Sequence, residues 1–218
     1  MKTSRFIILL LLALGLSGAV GAQDFNTPIF RGELAEKYNF TIDGTAYAYS
    51  DEFEDGDVMF NGKLYSDLML NLNSHRNELQ VAIGSTGERM ALRRELVGDF
   101  NIGKRTYTSL YGERNIKGLQ QGYYQVIHRG KDMLLKKIYK KVTERTESIT
   151  RQSVKVFTTK HKYYLVKDGK VNTIGNESSL IKFYKPQKGR IKEYVKSMRG
   201  TGVERDNLLQ GIMELMEE

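Results

Sequence analysis

The chain contains no cysteine. That absence excludes disulfides, thiolate zinc sites, iron–sulfur clusters and thiol nucleophiles together, and leaves the fold to be held by its apolar core. Histidine is scarce, with three residues. His75 and His128 fall in predicted turns and His161 lies between lysines, and no two of them stand at metal-ligand spacing. No Gly-x-Ser-x-Gly elbow, His-Glu-x-x-His pair or phosphate-binding glycine loop occurs. The pattern points to no catalytic residue, metal or cofactor.

Long apolar runs are confined to the N-terminus. Met1 to Arg5 is basic, Phe6 to Leu16 is almost wholly apolar, and Ser17 to Ala22 is small. This three-part layout predicts a secretory signal peptide over 1–22 with cleavage before Gln23. The apolar run falls short of the roughly 20 residues a membrane span needs. No cysteine follows it, so the expectation is a released, periplasmic or extracellular chain with no transmembrane segment after cleavage.

Charge is uneven. Residues 23–118 carry 11 Lys/Arg against 15 Asp/Glu, residues 119–170 carry 13 against 4, and residues 171–218 carry 8 against 7. The organisation read from this is an acidic β-rich region over 23–121, a basic β-meander over 122–175 and a helical tail over 176–218. Residues 23–218 pack either as one domain or as two β sub-regions joined at the glycine-containing stretch Gly112 to Gln121.

Asp24 to Asn39 reads as an irregular lead-in or edge strand. Phe40 to Ile42 and Ala46 to Tyr49, split by Asp43-Gly44, suggest a hairpin, and Asp51 to Asp57 an acidic turn. Asn61-Gly62 between Val58-Met59-Phe60 and Lys63-Leu64-Tyr65 is a type I′ turn pair. Leu68, Leu70 and Leu72 alternate with Met69, Asn71 and Asn73, and Leu79, Val81 and Ile83 repeat the spacing after a polar turn, which predicts antiparallel neighbours sharing a buried face. Further short strands follow at Met90 to Leu92, Val97 to Ile102 and Thr106 to Thr108. In the basic segment, Gly130 and Asp168-Gly169 punctuate β-branched and aromatic runs. Met133 to Val142 fits both a strand and a helical stripe, and its flanking turn favours the strand.

The end of the chain changes period. Asn176 caps a short helix before Leu180, and Pro186 stops it. Ile191, Tyr194, Val195 and Met198 define an amphipathic helix closed by Gly200 and Gly202, and Leu208 to Met216 a second. The fold class is therefore α+β: an antiparallel β-rich body, as meander, sandwich or open barrel, with C-terminal amphipathic helices packed on it.

In the Asn61 to Tyr65 turn with its Leu68/Leu70/Leu72 strand, in the Tyr163 to Lys170 hairpin and in the tail from Leu180 to Met198, the chain resembles a group of exported proteins from gut and environmental Bacteroidota. That group has no established activity, so the resemblance implies compartment and fold, and no site.

The acidic run does not make an EF-hand, because the third position is Phe53 and the twelfth Gly62; a solvated turn is the better reading, with a looser oxygen-ligand calcium site the alternative. Its carboxylates have charged neighbours and no apolar pocket to separate their pKa values for glycoside hydrolysis. One candidate remains, a basic and aromatic patch of Lys136, Lys137, Tyr139, Lys140, Lys141 and Tyr163. Strand alternation sends one lysine of each pair to each side, which predicts a solvated ribbon. It serves either as an edge guarded against aggregation or as a surface for an anionic envelope partner: lipid phosphate, acidic glycan or an acidic protein surface. The interleaved tyrosines would suit single-stranded nucleic acid, but export argues against that partner. The expected function is a non-enzymatic cell-envelope binding or scaffold module. The alternative is a hydrolase of an envelope or extracellular polymer, which would need two carboxylates, or His128 with a carboxylate, converging in a concave apolar pocket.

Overall fold

The computed structural model describes residues 31–38, 41–84, 87–147 and 151–217. The signal peptide expected over 1–22 and the Phe40 end of the first hairpin lie outside them.

Eleven strands form one antiparallel sheet in the order β1-β5-β4-β3-β2-β6-β7-β8-β9-β10-β11. They are β1 (Gly32–Leu34), β2 (Glu54–Phe60), β3 (Lys63–Asn73), β4 (Glu78–Ile83), β5 (Glu88–Leu92), β6 (Val97–Ile102), β7 (Arg105–Ser109), β8 (Tyr123–Arg129), β9 (Met133–Thr146), β10 (Ser153–Lys167) and β11 (Lys170–Ile174). Three helices follow: α1 (Glu177–Ile181), α2 (Lys188–Ser197) and α3 (Arg205–Leu215). The α+β reading, with helices packed on an antiparallel body, is the observed architecture. The sheet is continuous across the Gly112 to Gln121 stretch, because β7 pairs with β8 on its far side.

Local sequence accounts for most of this. Asn61 and Gly62 both adopt positive φ, and so do Asp168 and Gly169, as two-residue turns between twisted strands require. Leu70 pairs with Val81 and Leu72 with Leu79, and all four side chains are buried. With Val58, Phe60, Val97, Phe100 and Tyr107 they fill the core under the first half of the sheet, each apolar side chain contributing about 1.5–3 kcal/mol. Asn176 caps α1 in a reciprocal box with Ser179. The helices bury Leu180, Ile191, Leu209, Ile212 and Met213 against Ile127, Leu134, Leu165 and Ile174 of the sheet.

Two expectations are corrected. Residues 41–49 form no hairpin; they make a strap. Asp43 bridges Val156 of β10 and Tyr47 bridges Asn73 of β3, with Ala48 N donating to Leu72 O at 2.9 Å and Phe157 N to Asp43 O at 2.8 Å. Glu54 to Asp57, read as part of an acidic turn, belong to β2, where the free edge of β3 outweighs their poor strand propensity.

The strap reveals the shape of the sheet. In a flat sheet β3 and β10, six neighbours apart in the strand order, would lie about 29 Å from each other at ~4.8 Å per strand. The four residue steps from Asp43 to Tyr47 span at most ~14 Å. The sheet is therefore rolled into an open barrel, its seam bridged by residues 43–48. Phe157 of β10 accordingly packs on Tyr38 and His75, with ring centroids 5.5 and 5.3 Å apart. The strap also covers the polar side of β3, so Asn71 is buried, donating to the carbonyls of Ser50 and Glu52 at 3.0 and 2.8 Å.

Candidate functional site

The basic segment is a long hairpin. β9 and β10 pair from Met133–Val166 to Thr146–Ser153, while β8 accompanies β9 only as far as Lys136 and β11 accompanies β10 only from Tyr163. Along the intervening arm β10 is met on its other side by the strap, at Asp43, and β-alternation gives the arm two faces.

The inner face carries Lys136, Ile138 and Lys140, with Tyr163 opposite Lys136. It is not the wet surface expected. Lys136 is 5% exposed; its ammonium lies 2.6 Å from Asp206 Oδ2 and donates to the Tyr49 hydroxyl at 3.1 Å. The Tyr163 hydroxyl donates to the other oxygen of Asp206 at 2.7 Å, and burial pushes its pKa up. The Tyr49 hydroxyl donates to Gln125 at 2.6 Å, and Arg105, paired with Glu54, lies 4.4 Å from the Tyr49 ring centroid. Lys136 and Tyr163 thus anchor α3 to the sheet. Lys140 is buried too; desolvation lowers its pKa, and Asp51 opposes that shift.

On the outer face Lys137 is also buried. Its ammonium donates to Asn77 Oδ1 at 2.7 Å and to the Tyr123 carbonyl at 3.0 Å, and sits 4.9 Å from the Tyr124 ring centroid. Gly122 makes room for it, since a Cβ there would collide with Lys137 Nζ. Among the described residues no carboxylate answers this charge, and desolvation lowers its pKa to about 8. Both members of the Lys136/Lys137 pair are therefore interior, because the helices cover one side of β9 and the β3–β4 turn reaches the other. Tyr139 is half-buried beside Tyr164, the hydroxyls 3.4 Å apart. Lys141 is exposed.

The solvated cations lie further along the same outer face. Pairing sets Lys160 opposite Tyr139, Lys162 opposite Lys137, Thr158 opposite Lys141 and Val154 opposite Arg145. Lys141, Arg145, Lys160 and Lys162 are all exposed, and within the paired strands this face carries no Asp or Glu. The nearest carboxylate, Asp43 of the strap, stands 4.0 Å from Arg145 at the border. Lys162 lies 5.6 Å from the Tyr139 ring centroid. At ~3.4 Å per residue the strip from Lys162 to Arg145 runs about 27 Å. Arg145, Lys160 and Lys162 were not among the residues singled out from sequence; period-two alternation across a paired Thr146/Ser153 turn is the signal that finds them.

A hydrolase would need His128 and a carboxylate converging in an apolar pocket. His128 Nε2 lies 3.0 Å from Glu217 Oε1, and Glu217 also accepts from Lys131 N at 2.8 Å. Asp132 stands nearby in a recess of about 460 Å³ with Tyr184 and Met213. Asp132 Oδ2 accepts from both Lys167 and Tyr184 at 2.6 Å. Desolvation would raise the Asp132 pKa, but these two bonds outweigh it and hold the carboxyl below its usual range. The His128 ring beside it and the Lys131 amide do the same for Glu217. A general acid needs one carboxyl raised; here both are lowered, as in a latch that ties the end of α3 to β8. Among the described residues no three His, Asp or Glu side chains cluster as metal ligands, and no helix is long and apolar enough to cross a membrane.

Fold and surface together define a helix-capped, rolled antiparallel sheet bearing a cationic strip bordered by Asp43. Against protein-family models, curated proteins and solved structures the chain has no match.

Proposed function

We propose that this is an exported, non-enzymatic cell-envelope binding module, of one kind with the Bacteroidota group it resembles, and that it engages an anionic partner through the outer face of the β9–β10 arm. The observation that supports this reading is the strip of Lys141, Arg145, Lys160 and Lys162, exposed on a face to which the paired strands contribute no carboxylate. Charged side chains also guard exposed edges against aggregation. These four charges lie on one outward face of the hairpin arm, beyond the reach of β8 along β9 and of β11 along β10, and their mutual repulsion is relieved by an anion. A row about 27 Å long fits a repeating anion, such as an acidic glycan or a row of lipid phosphates, better than a single small ligand.

The test is charge reversal of residues that can change without unfolding the core. A variant carrying Lys141→Glu, Arg145→Glu, Lys160→Glu and Lys162→Glu is compared with the native protein for retention on immobilised polygalacturonate and on phosphatidylglycerol vesicles. The native protein is retained at low salt and released as salt screens the strip, and the variant flows through. Equal retention of the two proteins on both supports removes the proposal. Substituting Lys136, Lys137 or Lys140 would not test it, since those lysines hold the interior together.

A further inference from the structure

On the helical side a groove of about 950 Å³ runs beside α2, walled by Ile181, Val195, Met198, Val203 and Leu208. We infer that this groove binds one molecule of a long-chain amphiphile with an anionic head, the chain lying on the apolar wall and the head on Lys192, Lys196 and Arg199. This site is independent of the cationic strip of β9 and β10.

Three observations carry it. The five wall residues are all partly buried; Ile181, Val195 and Leu208 pack against the core beneath the helices and keep part of their apolar surface open to the groove. Its size lies within the range of small-molecule sites. Lys192, Lys196 and Arg199 recur at helical spacing on α2 and its C-terminal extension, all exposed, on the flank of the helix next to Val195. None pairs with a carboxylate among the described residues, and Glu177 is the single acid in the lining. Apolar wall and cationic rim together match a fatty-acid-like or lysophospholipid-like molecule.

A bilayer surface is the other source of the same chemistry, and the shape decides against it. Insertion into a membrane interface needs large apolar side chains that protrude. The prominently exposed ones are Leu34, Tyr49, Leu64 and Met69, none of them on the helices, while the groove residues are recessed. A recess takes up a chain; it does not enter a bilayer.

The chain has no tryptophan, so Val203→Trp places a single reporter in the wall. Titration of this variant with palmitate brominated at mid-chain is expected to quench its emission saturably at one ligand per protein. On the native background, cis-parinaric acid is expected to bind with the same stoichiometry and to be displaced by palmitate. Triple reversal of Lys192, Lys196 and Arg199 to Glu weakens palmitate at least tenfold and leaves hexadecanol, the uncharged analogue, within twofold. Circular dichroism verifies that each variant is folded. The inference is overturned if neither probe binds saturably, if reversal weakens palmitate and hexadecanol equally, or if the native protein sediments with anionic vesicles through these residues yet binds no monomeric palmitate.

Discussion

Lys137 should make the protein more stable as solution becomes mildly alkaline. Its side chain is buried, it meets two neutral oxygens and no carboxylate, and desolvation brings its pKa to about 8 from the ordinary 10.5. Between those values the unfolded chain binds more protons than the folded one, so stability rises with pH across that window. The whole gap corresponds to roughly 3 kcal/mol at ~1.4 kcal/mol per pH unit. Of this, about 2 kcal/mol is recovered between pH 7 and roughly pH 9.5. Tyr107 and Tyr123, whose pKa values burial raises, work the opposite way only when unfolded tyrosines begin to ionise near pH 10, which sets the upper limit. Urea unfolding followed by far-ultraviolet circular dichroism at constant ionic strength should show the rise, and Lys137→Met should remove about 2 kcal/mol of it. Parallel pH profiles for the two proteins would refute the reasoning.

Asp206→Ala strands the buried ammonium of Lys136 and should cost about 3 kcal/mol in thermal unfolding; a Lys136→Met/Asp206→Leu double variant should cost clearly less than the two single variants summed. Leu70 is fully buried between β2 and β4, so Leu70→Ala should cost about 2–5 kcal/mol in urea unfolding. Acid should loosen the C-terminal latch: Asp132 and Glu217 have lowered pKa values, so their contribution is complete above ordinary carboxylate values and is lost as pH falls through the folded ones. Hydrogen exchange over 205–217 should accelerate at that point before exchange in β3 and β4, and Glu217→Gln should show fast exchange already at neutral pH.

What could be read from sequence was whatever depends on near neighbours. Alternation at Leu68, Leu70 and Leu72 places a buried face without reference to any partner, and Asn61-Gly62 and Asp168-Gly169 set hairpins through their own φ angles. The flanking turn at Gly130 was enough to choose strand over helix for β9. What could not be read was which distant element would settle on each surface. Lys136 and Lys137 look like a solvated pair until Asp206 arrives from α3 on one side and Asn77 from the β3–β4 turn on the other. Residues 41–49 carry a hairpin signature, yet their hydrogen bonds go to β3 and β10, because the rolled sheet offers two unsatisfied edges within reach. The cationic strip was half visible: Lys141 was named, and its companions on β10 needed the register of the pairing.

The strap across the seam bears on how the molecule comes into being. Asp43 meets Val156, a residue from the far half of the chain, and this pairing can form only after β3 and β10 have both been positioned. Closing so long a loop costs more entropy than closing the short turns between neighbouring strands, so the strap is expected to fasten the two wings of the sheet late in folding. Until the strap is in place, the backbone groups of Leu72 on β3 and of Lys155 and Phe157 on β10 lack its hydrogen bonds and stay open to pairing with another chain.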